Sequence, residues 1–143
     1  MKLVVFCLFA VWCGSLAGTS RPTDLRRKLK EVLSQLNVVK KSLQHNEKML
    51  NTPPQNVEDC CCLSALRCFR ANLDVHFDMT EIKQKNLYRS LGNENTVRGL
   101  CNSTSAGDAS ATCRDCDSHP KETAREFFNR LESLIQKGIA RLN

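Results

Sequence analysis

The chain is 143 residues long with a formal net charge of +6. That length suits one domain with a core of its own, and a basic surplus this modest, spread along the chain, serves solubility and gives no argument for a nucleic-acid partner. Nine cysteines make the redox compartment the first question.

Residues 1 to 20 place Lys2 ahead of an apolar run from Leu3 to Trp12, followed by small residues around Gly14 to Gly18. This is the pattern of a secretory signal peptide, with cleavage expected after Ala17 or Gly18, so residues 1–18 read as leader and 19–143 as one mature domain. The run is shorter than the ~20 residues a spanning helix needs, and no later segment reaches that length, so a secreted, extracellular product without membrane insertion is expected. Loss of the leader removes Cys7, Cys13 and Lys2, which leaves seven cysteines and a charge near +5 (20 basic less 15 acidic). In an oxidising environment thiols pair, and an odd number leaves one sulfur free, capped or joined between chains.

In the mature segment Leu25, Leu29, Val32, Leu33, Leu36, Val39 and Leu43 recur at intervals of three and four, which predicts an amphipathic helix. Pro22 is tolerated at its start, and Thr23 or Asp24 can accept from the first-turn amides. The stripe fades after Leu43, and "NTPPQN", residues 51–56, stops any helix. A second, shorter helix is predicted from Val57 to about Phe77, on Leu63, Leu66, Cys68, Phe69 and Leu73. Between residues 80 and 100, Ile82, Leu87, Tyr88, Leu91, Val97 and Leu100 suggest a third helix that Gly92 and nearby Asn residues interrupt. The tract "CNSTSAGDASA", residues 101–111, reads as a solvated loop, with Asn102 in an N-glycosylation acceptor. The final segment shows the strongest helical period, through Ala124, Phe127, Phe128, Leu131, Leu134, Ile135, Ile139 and Leu142. No window alternates strongly enough to argue a strand. An all-α, disulfide-braced four-helix bundle is the expected fold, and two long connections would give it up-up-down-down topology.

The cysteines invite catalytic and metal readings. Cys60, Cys61 and Cys62 stand in a row with Cys68 six residues on, and adjacent helical residues point about 100° apart, so the three cannot all serve one small site. Secreted phospholipases also carry adjacent cysteines, but they need a His-Asp pair shortly after them, and His76 and Asp78 lie too far along. Cys113 and Cys116 have the spacing of a redox pair, yet a Ser/Ala loop precedes them where a strand is needed. Zinc held by cysteines of the 60–68 region with Cys113, Cys116 and His119 competes with disulfide formation outside the cell. The expectation is a protein that is not an enzyme, with no cofactor and no metal.

Three segments then carry a resemblance. "CCLSALRCF" sets Cys61 and Cys68 seven apart, and "CRDCDSHPKETAREFFNRLESLIQKGI" sets Cys113 and Cys116 three apart ahead of a Glu-Phe helix. "RKLKEVLSQLNVVKKSL" carries an Arg-x-Leu-x-acidic-apolar-apolar-x-Gln-Leu pattern. Together these resemble the short-chain four-helix cytokines of the interleukin-2, interleukin-15 and interleukin-21 group, over about two thirds of the mature chain. The resemblance implies bridges Cys61 to Cys113 and Cys68 to Cys116, and Cys101 is then expected to take Cys60 or Cys62, leaving one sulfur over. It also implies a monomer that binds a private class I cytokine receptor chain, similar to the interleukin-21 receptor, and the common gamma chain, and so starts JAK/STAT signalling in immune cells. The private-receptor positions it implies are Arg27, Lys28, Glu31 and Gln35, with Ser34 where the group has an acidic residue. The common-gamma-chain positions are Gln136, Ile139, Glu132 and Asn129, with Arg125 on the same flank and Gly138 where the group has a larger residue. The alternative reading is a secreted cationic helical lipid-binding or membrane-active defence protein, against which the polar helix faces carry Glu31, Glu47, Glu122, Glu126 and Glu132 among the basic residues.

Overall fold

The computed structural model describes residues 22–101 and 113–143. The expected leader and the acceptor Asn102 lie outside the described residues. The described chain is mostly helical. Helix α1 spans Pro22–Leu43, α2 Cys62–His76, α3 Ile82–Leu91, α4 Glu94–Leu100 and α5 Ala124–Arg141. Short 3-10 turns cover Asp59–Cys61 and Cys116–Ser118. No described helix is long and apolar enough to cross a membrane.

Helix α1 buries Leu29, Val32, Leu36 and Val39, the centre of its predicted stripe, while Leu33 and Leu43 pack at its edge. Pro22 is its first residue, which puts Thr23 and Asp24 inside the first turn rather than before it; Asp24 then acts on the helix dipole. Helix α2 starts later than predicted, because Asp59–Cys61 forms a tighter turn first. It presents Leu66, Phe69 and Leu73 to the core. Helix α5 buries Phe127, Phe128, Leu131 and Ile135 completely, and its Thr123 cap accepts from the Glu126 amide at 3.2 Å. Phe127 meets Phe69 and Phe128 edge to face, at 5.2 and 5.3 Å between ring centres. Each such buried Leu or Phe contributes about 1.5–3 kcal/mol over leaving it exposed.

The ambiguous third segment is two helices. Gly92 ends α3 and Asn93 caps α4, its side chain accepting from the Asn95 amide. Arg70 of α2 packs against this break: it stacks over the Tyr88 ring at 4.0 Å and donates from Nε to the Tyr88 carbonyl at 3.0 Å. A Cβ at residue 92 would lie 2.7 Å from that guanidinium.

The absence of strands expected from the sequence is corrected. Met49–Asn51 (β1) pairs antiparallel with Lys121–Thr123 (β2), with Leu50 opposite Glu122. Three residues are too few to display a period of two, and the pair is fixed instead by polar contacts at its end. Thr52 is fully buried, donating its amide to the Pro120 carbonyl at 3.0 Å and its hydroxyl to the Leu50 carbonyl at 2.7 Å. Asn51 Nδ2 donates to the His119 carbonyl at 2.7 Å.

The helix ends meet in a definite order. Leu29, near the start of α1, faces Gly138 at the end of α5 and Gly99 at the end of α4. Arg141 at the end of α5 reaches Asp59 beside the start of α2 at 3.5 Å. Just past the end of α1, Lys48 donates to the carbonyl of His76 at the end of α2.

Candidate functional site

Three disulfides hang the later chain on α2 and the turn before it. Cys61 is bonded to Cys113, Cys68 to Cys116 and Cys62 to Cys101. The first two are the pairs that the resemblance implies, and the third settles the open choice of partner for Cys101 in favour of Cys62. Cys60, half-buried, keeps a free thiol. Cys61 belongs to the 3-10 turn rather than to α2, so Cys61 and Cys68 do not share one uninterrupted helix as their spacing suggested. Each long bridge closes 48 to 52 residues, and about 4 kcal/mol apiece follows from the chain-entropy model.

These bonds bear on the competing chemistries. Cys113 and Cys116 are bonded to α2 and its turn, not to each other, so the redox-pair geometry is not formed. Cys60, Cys61 and Cys113 bring their sulfurs within 4.8 Å of one another. Two of the three are disulfide sulfurs, which are not the thiolates zinc requires.

Behind the Cys68–Cys116 bridge sits a residue that periodicity does not single out. Asn72 is buried, and its Nδ2 donates to the carbonyls of Cys68 at 2.9 Å and Asn51 at 3.2 Å and lies 3.2 Å from Cys116 Sγ. One amide thereby joins α2, β1 and the bridge. The available signal was a polar residue four positions after Cys68 on a face otherwise apolar. His119 is also buried, with no partner for Nδ1. Its burial, and then the charge of Arg114, hold its pKa below the ordinary histidine value.

The two sets of candidate receptor residues fall on different helices and different sides. On α1, Arg27 and Glu31 are exposed, while Lys28 is half-buried and pairs with Glu31 at 3.5 Å. Gln35 is half-buried, its Oε1 out of solvent and without a hydrogen-bond partner. At 100° per residue, Lys28, Glu31 and Gln35 flank the buried stripe on one side and Lys40 on the other. On α5, Gln136 and Arg125 are exposed, and Asn129 and Glu132 half-buried. Glu132 meets Lys40 of α1 at 3.6 Å, so the flank of α5 adjoins the opposite side of α1 from Lys28. Ile139 is half-buried and packs against the core.

Gly138 has a role that helix propensity alone does not assign. It is buried, and a Cβ there would lie 2.9 Å from Leu29 Cδ1, 3.0 Å from Leu100 Cδ2 and 3.1 Å from the Gly99 carbonyl oxygen. Helices α1, α4 and α5 approach closely because residue 138 carries no side chain. No family model matches the chain.

Proposed function

We propose that this chain is a secreted cytokine of the interleukin-2, -15 and -21 group, similar above all to interleukin-21. It bridges a private class I receptor chain and the common gamma chain outside immune cells. The proposed architecture is a four-helix bundle in up-up-down-down order, with α3 and α4 together as one broken third helix. The support for that order is where ends meet: the start of α1 and the turn leading into α2 both lie against the end of α5, and α1 and α2 finish near each other. The end of α4 is bonded back to the start of α2 through Cys62 and Cys101.

The single observation that carries the functional reading is the order of the two bridges, Cys61 to Cys113 and Cys68 to Cys116. Joined with the helix patterns quoted above, it makes the family's receptor positions transferable by residue. In this reading Arg27, Lys28, Glu31 and Gln35 meet the private chain, and Gln136, Ile139, Glu132 and Asn129 meet the common gamma chain. Neither face performs a reaction. The protein brings two receptor chains together, and the kinases attached inside the cell then phosphorylate each other and activate STAT proteins.

The test is cellular. Purified protein should raise STAT phosphorylation in cells that carry an interleukin-21-type private receptor with the common gamma chain, and not in cells lacking the gamma chain. Equal responses with and without the gamma chain, or none in either, would remove the proposal. Leakage of anionic vesicles at submicromolar protein would favour the membrane-active alternative instead.

A further inference from the structure

Three sulfurs converge where the first 3-10 turn enters α2. The free thiol of Cys60 lies 3.8 Å from Sγ of Cys61, which is itself bonded to Cys113. Cys113 Sγ sits 3.7 Å from the carbonyl oxygen of Cys60, so the bridge lies over the backbone of the residue holding the spare thiol. All three sulfurs are within 4.8 Å of one another and each residue is half-buried. Cys60 also lines an open pocket of about 410 Å³ with Arg67 and Asp115, so solvent and reagents reach it.

We propose that Cys60, Cys61 and Cys113 form an internal thiol–disulfide exchange centre, in which the two neighbours on the turn compete for Cys113. Once rotation of its side chain brings the sulfur into line with the Cys61–Cys113 bond, the Cys60 thiolate attacks Cys113 Sγ, the Cys60–Cys113 bond forms and the Cys61–Cys113 bond breaks. Cys61 leaves as a thiolate. The proton lost by Cys60 goes to solvent and Cys61 takes one back, so no oxidant or reductant is consumed. Attack on Cys61 instead would close a small ring between adjacent residues and cut residue 113 loose; attack on Cys113 keeps it tethered and shifts its anchor by one residue. Cys62 and Cys68 take no part, being bonded to Cys101 and Cys116. This arrangement holds whatever the protein binds.

The surroundings restrain the exchange at neutral pH. The Cys60 thiol donates to Glu58 Oε2 at 3.5 Å. Partial burial first, then the Glu58 hydrogen bond and charge, with a smaller push from Asp59, raise the Cys60 pKa above that of a free thiol. Arg67 of α2 and Asp115 share the pocket, while Arg141 of α5 is drawn to Asp59. A thiol with a raised pKa carries little thiolate near neutrality, so exchange accelerates as the solution becomes alkaline.

The test is to hold the oxidised, full mature protein without added thiol at about pH 6 and about pH 8.5, quench with excess N-ethylmaleimide, which labels thiols even in mild acid, and map peptides without reduction. At the lower pH the label should sit on Cys60. At the higher pH label should also appear on Cys61 together with a Cys60–Cys113 peptide, and Glu58→Gln should speed its appearance several-fold. Cys61→Ser should give a monomer with a Cys60–Cys113 bridge and unchanged helix content. Label confined to Cys60 in the wild type at both pH values overturns the proposal, as does a Cys61→Ser protein that folds with Cys113 alkylatable or joined between chains. Should Cys61→Ser fail to fold, the wild-type labelling decides alone.

Discussion

The outer face of α1 and the flank of α5 carry the two sets of candidate receptor residues under different constraints. On α1, Arg27 and Glu31 stand away from the buried stripe, and their nearest obligation is the pair between exposed Glu31 and half-buried Lys28. On α5, Gln136 and Arg125 project clear of the core, whereas Ile139 packs against it, Glu132 is engaged by Lys40, and Gly138 lies buried between those two in sequence. Two exposed charges with no packing duty can be exchanged at little cost in stability. A flank that shares residues with the core cannot, and any functional test there must use a position that projects clear of it, of which Gln136 is the one matched to the proposed contact.

The largest effects should come from setting the faces against each other. Gln136→Asp would place an unpaired charge in the proposed gamma-chain contact, and binding to that chain should weaken by several kcal/mol if the site is desolvated, with private-chain binding and circular dichroism unchanged. Arg27→Glu with Glu31→Lys should do the reverse. Surface binding to each purified receptor chain reads both, and in cells the Gln136→Asp protein should compete with the wild type by occupying the private receptor unproductively. Normal signalling from both variants would mean that these faces are merely solvated.

Stability measurements sharpen the same contrast. Gly138→Leu drives a side chain into Leu29, Leu100 and the Gly99 carbonyl, and should lower unfolding free energy by about 1–3 kcal/mol, more if the helices cannot part. The Arg27 and Glu31 exchange should cost far less. A Gly138→Leu protein as stable as the wild type would show that the three-helix approach is looser than drawn. Glu132→Gln loses one partly exposed ion pair with Lys40, for which about 0–1 kcal/mol is expected in denaturant titration.

Acidification through the histidine range perturbs the fold at His119, and neither face holds a histidine. His119 has a native pKa below its unfolded value near ~6.5, so the unfolded chain binds a proton that the native chain refuses. Its contribution is therefore complete above about pH 6.5 and declines as pH falls from there towards the depressed native pKa. Thermal melts should show this decline in the wild type and a flatter profile in His119→Gln.

What could be read from residues alone follows the same division. The stripes of α1 and α5 were legible because they run for 22 and 18 residues, long enough for period and burial to agree. The break at Gly92 was visible as a glycine, but the Arg70 side chain that packs against it arrives from another helix and left no mark in the local sequence. The strands were too short to leave a pattern, and Asn72 is meaningful only once Asn51 and Cys116 stand beside it. Of the candidate site, Gln136 was reached through the resemblance rather than from periodicity, and it lies exposed on α5. The close contact through Gly138 was not legible, because sequence spacing does not say which helices meet at a glycine. The choice of Cys62 over Cys60 for Cys101 likewise depends on where the 3-10 turn gives way to α2.

The most direct measurement is assembly of both receptor chains on one molecule. With the extracellular part of an interleukin-21-type private receptor immobilised and saturated with the protein, the soluble common gamma chain should bind on top. It should fail to do so when Gln136→Asp is loaded at the same density. A gamma chain that binds neither surface, or both equally, would contradict the two-face account.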